Sequence, residues 1–112
     1  MTNKYILDGK KAVPCNDLMA WADWFETADR HVAQEAVGDI QVSTVFLGLN
    51  YRWGSGEPLL FETMIFGGPD DGYQTRCSTW EEAVAMHAKA LRLARSRTAA
   101  EQPRAENLDS IG

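Results

Sequence analysis

Two short runs constrain this chain more than anything else in it. Residues 41–49, QVSTVFLGL, and 59–66, LLFETMIF, are dense in β-branched and aromatic side chains, the types that fit a pleated, packed surface. Both read as strands of one sheet. In the first run Val45, Leu47 and Leu49 fall on one face and Val42 and Phe46 on the other, so cover on both faces is expected. Asn50 to Pro58 joins the two runs, contains Gly54, Ser55 and Gly56, and reads as a flexible loop. Gly67-Gly68-Pro69-Asp70-Asp71-Gly72 is a tight connection into a third strand over Tyr73 to Cys77. Upstream, His31 to Val37 alternates weakly, with Gly38-Asp39 as a turn into Ile40. Short links between successive strands favour an antiparallel meander.

The flanks supply a hairpin and two helices. Tyr5-Ile6-Leu7 and Lys11-Ala12-Val13 surround Asp8-Gly9-Lys10, and Asp-Gly between apolar runs is a strong turn signal. Pro14 ends the second strand, having no N–H to donate. Asn16 is the expected N-cap of a helix over about residues 17–28, with Leu18, Trp21, Ala22, Phe25 and Ala28 as its apolar stripe and Trp24 off the centre. Ser78 with Glu81, or Thr79 with Glu82, makes a capping box for a second helix. Its expected stripe is Trp80, Val84, His87, Leu91 and Ala94. The expected fold is therefore α+β: an antiparallel meander of three to five strands plus an N-terminal hairpin, with two helices packed on the sheet. At 112 residues the chain suits one domain, placed at 1–97, and the polar, patternless 98–112 reads as a mobile tail.

Charge narrows the range of partners. The formal net charge is −5, and residues 1–88 carry 13 acids against 6 bases, a net of −7. Such a body repels phosphate backbones, so direct nucleic-acid binding is not expected, whereas positive protein surfaces are attracted. No stretch approaches the ~20 apolar residues of a membrane helix. The N-terminal sequence lacks the apolar core of a secretory signal, and Cys15 and Cys77 are too few for a disulfide framework, which together point to a cytoplasmic location.

Few residues carry recognisable chemistry. Cys15, His31, Cys77 and His87 show no metal-ligand spacing, and neither a metal nor a cofactor is expected. Cys77 and His87 bracket a strand-to-helix junction and offer a thiol–imidazole pair, with nothing in the sequence to orient the imidazole. His87 also lies on its helix's apolar stripe, which favours a packed, hydrogen-bonded role. Asp70-Asp71 tops a hairpin, where Asp is a common turn former, and Arg92, Arg95 and Arg97 suit a helix C-terminus. The loop Asn50 to Glu57 stands apart, because it sets Tyr51, Arg52 and Trp53 side by side, three types that dominate binding hot spots. The alternative is that Trp53 folds back over the sheet edge. The candidate partner-binding residues are Tyr51, Arg52, Trp53, Glu57, Asp70 and Asp71.

The segments Val42 to Leu49, Leu59 to Met64, Phe66-Gly67-Gly68 and Ser78-Thr79-Trp80-Glu81-Glu82-Ala83 together resemble a family of small bacteriophage and prophage proteins of unknown function. The resemblance spans roughly residues 5–90. Members often carry Asp-His after the first of these strands, where this chain has Asn50-Tyr51, so any acid–imidazole chemistry at that point is missing here. The resemblance implies a phage accessory protein. With the acidic body and the aromatic loop, it points to a non-enzymatic protein binder, in a sharper form an inhibitor of a host defence complex of the anti-CRISPR kind, seated on that complex's basic surface. The competing readings are a small enzyme or nucleotide-handling protein using Cys77 and His87, and a self-associating structural phage component. The oligomeric state is left open.

Overall fold

The structure, a computed structural model, describes residues 3–101. The chain opens with a hairpin in which β1 (Tyr5–Asp8) pairs antiparallel with β2 (Lys11–Pro14), turning through Gly9 at φ +64°. After α1 (Leu18–Thr27), the strands β3 (His31–Val37), β4 (Ile40–Phe46), β5 (Phe61–Phe66) and β6 (Gln74–Cys77) form one antiparallel sheet in chain order, crossed by α2 (Trp80–Glu101). The expected α+β meander with hairpin and two helices is the fold observed. The second helix runs four residues past Arg97, and the remainder of the tail expected at 98–112 lies outside the described residues.

Local details depart from the sequence reading in four places. The N-cap of α1 is Asp17, not Asn16: its carboxylate accepts the N–H groups of Met19 and Ala20 at 3.0 and 3.1 Å. The apolar stripe of α1 is also rotated. Leu18 is 59% exposed, while Trp24 meets Phe46 edge-on at 5.8 Å. The reason is that α1 docks at a corner, between the hairpin and the end of β4, through Trp21 and Phe25. Trp21 Nε1 donates to the carbonyls of Tyr5 and Gly48, both at 3.1 Å. Gly48 has φ +78°, and a Cβ there would lie 2.8 Å from the Phe25 ring, so only glycine allows this approach.

The third departure concerns cover. Antiparallel pairing puts Val42, Thr44 and Phe46 of β4 on the same face as Ile65, Thr63 and Phe61 of β5, and α2 covers that face, joined at the Phe46 end by Trp24 and the hairpin. On the other face Gln41, Ser43, Val45, Glu62 and Met64 are half-buried, and no helix lies over them among the described residues. One apolar–polar alternation, rather than two apolar faces, is what a single covering helix requires.

The seam under α2 also differs from the expected one. Val84 is 51% exposed, and the buried positions are Ala83, His87, Ala90, Leu91 and Ala94. Three alanines let the helix axis approach the sheet closely. Of the two possible capping boxes, the structure forms Thr79 with Glu82: Glu82 N donates to Thr79 Oγ1, and Thr79 N donates to Glu82 Oε1, both at 3.1 Å.

The core beneath α2 is divided. One apolar cluster contains Ile40, Val42, Ile65, Ala90, Leu91 and Ala94; the other contains Phe46, Leu60, Phe61 and Ala83, joined by Trp24 and Trp80. Between them, on every element that crosses the core, sits a polar residue: Thr44 on β4, Thr63 on β5 and His87 on α2, all buried.

Candidate functional site

This polar belt contains the most chemically suggestive groups in the molecule. Thr44 and Thr63 are direct partners in the ladder, and their hydroxyl oxygens are 2.5 Å apart. Thr44 Oγ1 is 2.7 Å from His87 Nδ1, and His87 Nε2 is 2.9 Å from Glu35 Oε1. A carboxylate only accepts, so Nε2 donates to Glu35. The other ring nitrogen, Nδ1, meets the Thr44 hydroxyl, which in turn meets the Thr63 hydroxyl. Every group in the chain is satisfied. The order carboxylate–imidazole–hydroxyl is that of a nucleophilic triad, but Thr44 and Thr63 have no exposed surface and His87 is 4% exposed, so a substrate has no path to either hydroxyl. The expected packed, hydrogen-bonded histidine is the arrangement found. What the sequence did not reveal is Glu35, 52 residues away on a strand whose alternation is weak.

Cys77 takes no part in this chain. Its Sγ lies 3.6 Å from the Thr79 carbonyl, and both nitrogens of His87 are engaged by Thr44 and Glu35. Burial first, and then the neighbouring Glu82 carboxylate, push the thiol up to about 11. A thiol with so little thiolate at neutral pH is a poor nucleophile.

The loop after β4 is built in the opposite sense, closed at the base and open at the tip. Asn50 Oδ1 accepts from Arg52 N at 2.8 Å and Leu59 N at 3.0 Å, while Tyr51 N donates to the Leu59 carbonyl at 3.0 Å. These bonds draw the two ends of the loop together. The Arg76 guanidinium stacks over the Tyr51 ring at 4.7 Å, and on its other side Arg76 Nε donates to Glu62 at 2.9 Å. Arg52 turns inward and donates to the Glu57 carbonyl. Trp53 does not fold back over the sheet edge. It stands 98% exposed at the tip.

Asp70 and Asp71 lie at the other end of β5 and do not join that loop. Asp71 Oδ1 accepts from Gly67 N at 2.7 Å, closing the turn, and Asp70 pairs with Arg97 Nε at 2.7 Å. Sequence order therefore scattered the six candidate residues over two ends of the molecule, leaving Tyr51, Arg52, Trp53 and Glu57 as one group.

Glu57 also lines a cleft of about 450 Å³ that sequence reasoning missed, since its walls come from separate segments: Tyr5, Lys10 and Lys11 of the hairpin, Pro58 and Leu60, and Trp80 and Glu81 at the start of α2. Lys10 sits 5.9 Å above the Trp80 ring. Among the described residues no group of three or more His, Cys, Asp or Glu side chains could hold a metal ion, and no helix is long and apolar enough to cross a membrane. Compared with family models, curated proteins and solved structures, the chain matches none.

Proposed function

We propose that this protein acts by binding a protein partner, with loop 50–57 as its contact surface and Trp53 as the anchor. One observation carries the reading: a tryptophan 98% exposed at the tip of a loop whose base is latched by Asn50 and braced by Arg76 on Tyr51. Leaving an indole in water sacrifices apolar burial worth about 2 kcal/mol or more, and a pre-ordered base lowers the entropy lost on docking. The cleft that begins at Glu57 extends the contact surface with Trp80 and Leu60. The excess of acids over bases favours a positively charged partner. Together with the resemblance to phage-encoded proteins, this supports an accessory protein that occupies the basic, nucleic-acid-holding surface of a host defence complex.

The enzyme reading has less support, because its imidazole and hydroxyls are enclosed and its thiol is held protonated. The test is affinity capture from host lysate, and from lysate supplemented with a defined defence nuclease complex, by the wild-type chain and by Trp53→Ala. Retention of the complex by the first and its loss by the second is expected. Equal retention by both, or no retained protein even with the complex supplied, overturns the proposal.

A further inference from the structure

The two edges of the sheet are finished differently. On one side β6 has only four residues, and its Arg76 is held between Glu62 and Tyr51, so the edge is short and charged. On the other, β3 has seven residues, His-Val-Ala-Gln-Glu-Ala-Val, with no Lys, Arg or Pro, and among the described residues it pairs with β4 alone. Its single carboxylate, Glu35, is drawn to His87 on the helix face and does not guard the edge. Natural sheets protect exposed edges with short strands, prolines, bulges or charges; over residues 34–37 β3 carries no proline or bulge, its one register shift lying between His31 and Ala33 and its carboxylate being engaged by His87.

The hydrogen-bonding groups left unpaired on β3 can be named. Phe46 N donates to the Arg30 carbonyl and Leu47 N to the Leu60 carbonyl, so even-numbered residues of β4 bond towards β3 and odd-numbered ones towards β5. Ala33, Glu35 and Val37 are the partners of Thr44, Val42 and Ile40, and they use their backbone groups on β4. Gln34 and Ala36 point N–H and C=O out of the sheet, and both residues are exposed.

We infer that β3 is the interface between two copies of this chain, paired antiparallel about Gln34 into one continuous eight-stranded sheet. Charge disfavours the neighbouring register one residue along. Centring the pair on Glu35 would set two carboxylates directly opposite each other, whereas centring it on Gln34 sets each Glu35 against an alanine, Ala33 of the other copy, and places the two Gln34 amides side by side on the open face. An antiparallel strand meeting its own copy is self-complementary, so the assembly closes at two and leaves no further β3 edge. The pairing is independent of the loop reading. Tyr51 is braced on Arg76 at the far edge of each sheet, so the dimer would present two such loops at its outer ends.

Sedimentation equilibrium and residue-resolved amide exchange test this together. The wild-type chain is expected to sediment as a dimer, and the Gln34 and Ala36 amides to lose about tenfold or more of their protection on serial dilution, while Glu35 and Val37 keep theirs. Gln34→Pro removes an outward N–H without touching the ladder to β4, and is expected to give a folded monomer by circular dichroism. Gln74→Pro on the opposite edge is expected to remain dimeric. A wild-type monomer at the highest soluble concentration, an undiminished dimer in Gln34→Pro, or Gln34 and Ala36 exchange that ignores concentration overturns the inference. Should Gln34→Pro fail to fold, the wild-type exchange data decide alone.

Discussion

The belt and the loop make opposite use of their residues. The belt has the chemistry of a catalytic site, with acid, imidazole and hydroxyl in line at 2.9 and 2.7 Å, and no access. The loop has full access and no such aligned set, its arginine committed to a backbone carbonyl and its tryptophan in water. The difference teaches that residue types alone do not locate a site. A satisfied, enclosed polar chain between two apolar clusters aligns elements: sliding α2 along the sheet would set His87 against Val42 or Phe46 in place of Thr44 and leave its nitrogens unpaired. An exposed apolar side chain held on a latched base is what the proposed partner binding would use.

The largest expected effect comes from cutting the belt. His87→Ala leaves a cavity and strips the Thr44 hydroxyl of a hydrogen-bond partner, and should cost about 3 kcal/mol, lowering the melting temperature by roughly 15 °C. Whatever fraction stays folded should bind the partner as the wild type does. Replacing His87, Thr44 and Thr63 together, with His87→Leu, Thr44→Val and Thr63→Val, should recover stability to within about 1 kcal/mol of wild type, because no enclosed polar group is left unpaired and the half-exposed Glu35 carboxylate turns to water. Thermal melts of the single and triple variants check both values. A triple variant that folds well yet loses partner binding would break the division between the two regions.

Next is the latch that joins loop to sheet. Asn50→Ala removes one side-chain acceptor shared by two backbone donors, Arg52 N and Leu59 N, and should cost about 1–2 kcal/mol in chemical denaturation. Unlike the belt variants, it should also weaken partner binding, since the loop base loses its order. Asn50→Asp keeps the acceptor and should restore both properties.

A milder effect concerns Cys77, which lies beside the belt without belonging to it. The folded state holds the thiol at about 11 against an ordinary 9.0, so the folded form binds the proton more tightly than the unfolded one. Its contribution to stability is complete below pH 9 and is lost as pH rises towards 11. Measured against Cys77→Val, which has no such proton, the wild type should hold a constant difference in stability below pH 9 and fall behind above it. A difference that stays flat through pH 11 would show that burial does not hold the proton.

Much of the fold could be read from the chain because local signals agreed with one another. Asp8-Gly9, Gly38-Asp39, the two β-rich runs and the Thr79–Glu82 box each specify a turn, strand or helix start without distant help. What escaped was set by tertiary contact. Glu35 reaches His87 only because β3 folds beside β4, Trp24 becomes core because α1 docks at a corner, and Val84 yields its place to Ala83 because a small side chain lets the helix close on Phe61. At the loop, residue types singled out the segment for its composition, but could not tell an outward Trp53 from an inward one. Nor could it show that Asp70 and Asp71 were already committed to Arg97 and Gly67.

Trp53→Ala should change stability least of all. The side chain is 98% exposed and gives up almost no buried surface, so the shift should stay within about 0.5 kcal/mol, inside the scatter of ordinary surface substitutions. The same change should weaken partner binding by about 2 kcal/mol or more, roughly thirtyfold, if the indole is the anchor. His87→Ala runs the other way, with a large loss of stability and none of intrinsic affinity. Measured side by side by calorimetry and by surface-based binding, the two variants should fall at opposite corners of a stability–affinity plot. If they fall on one line, with affinity tracking stability in both, then the loop has no role of its own, and its exposure is incidental to whatever this protein does.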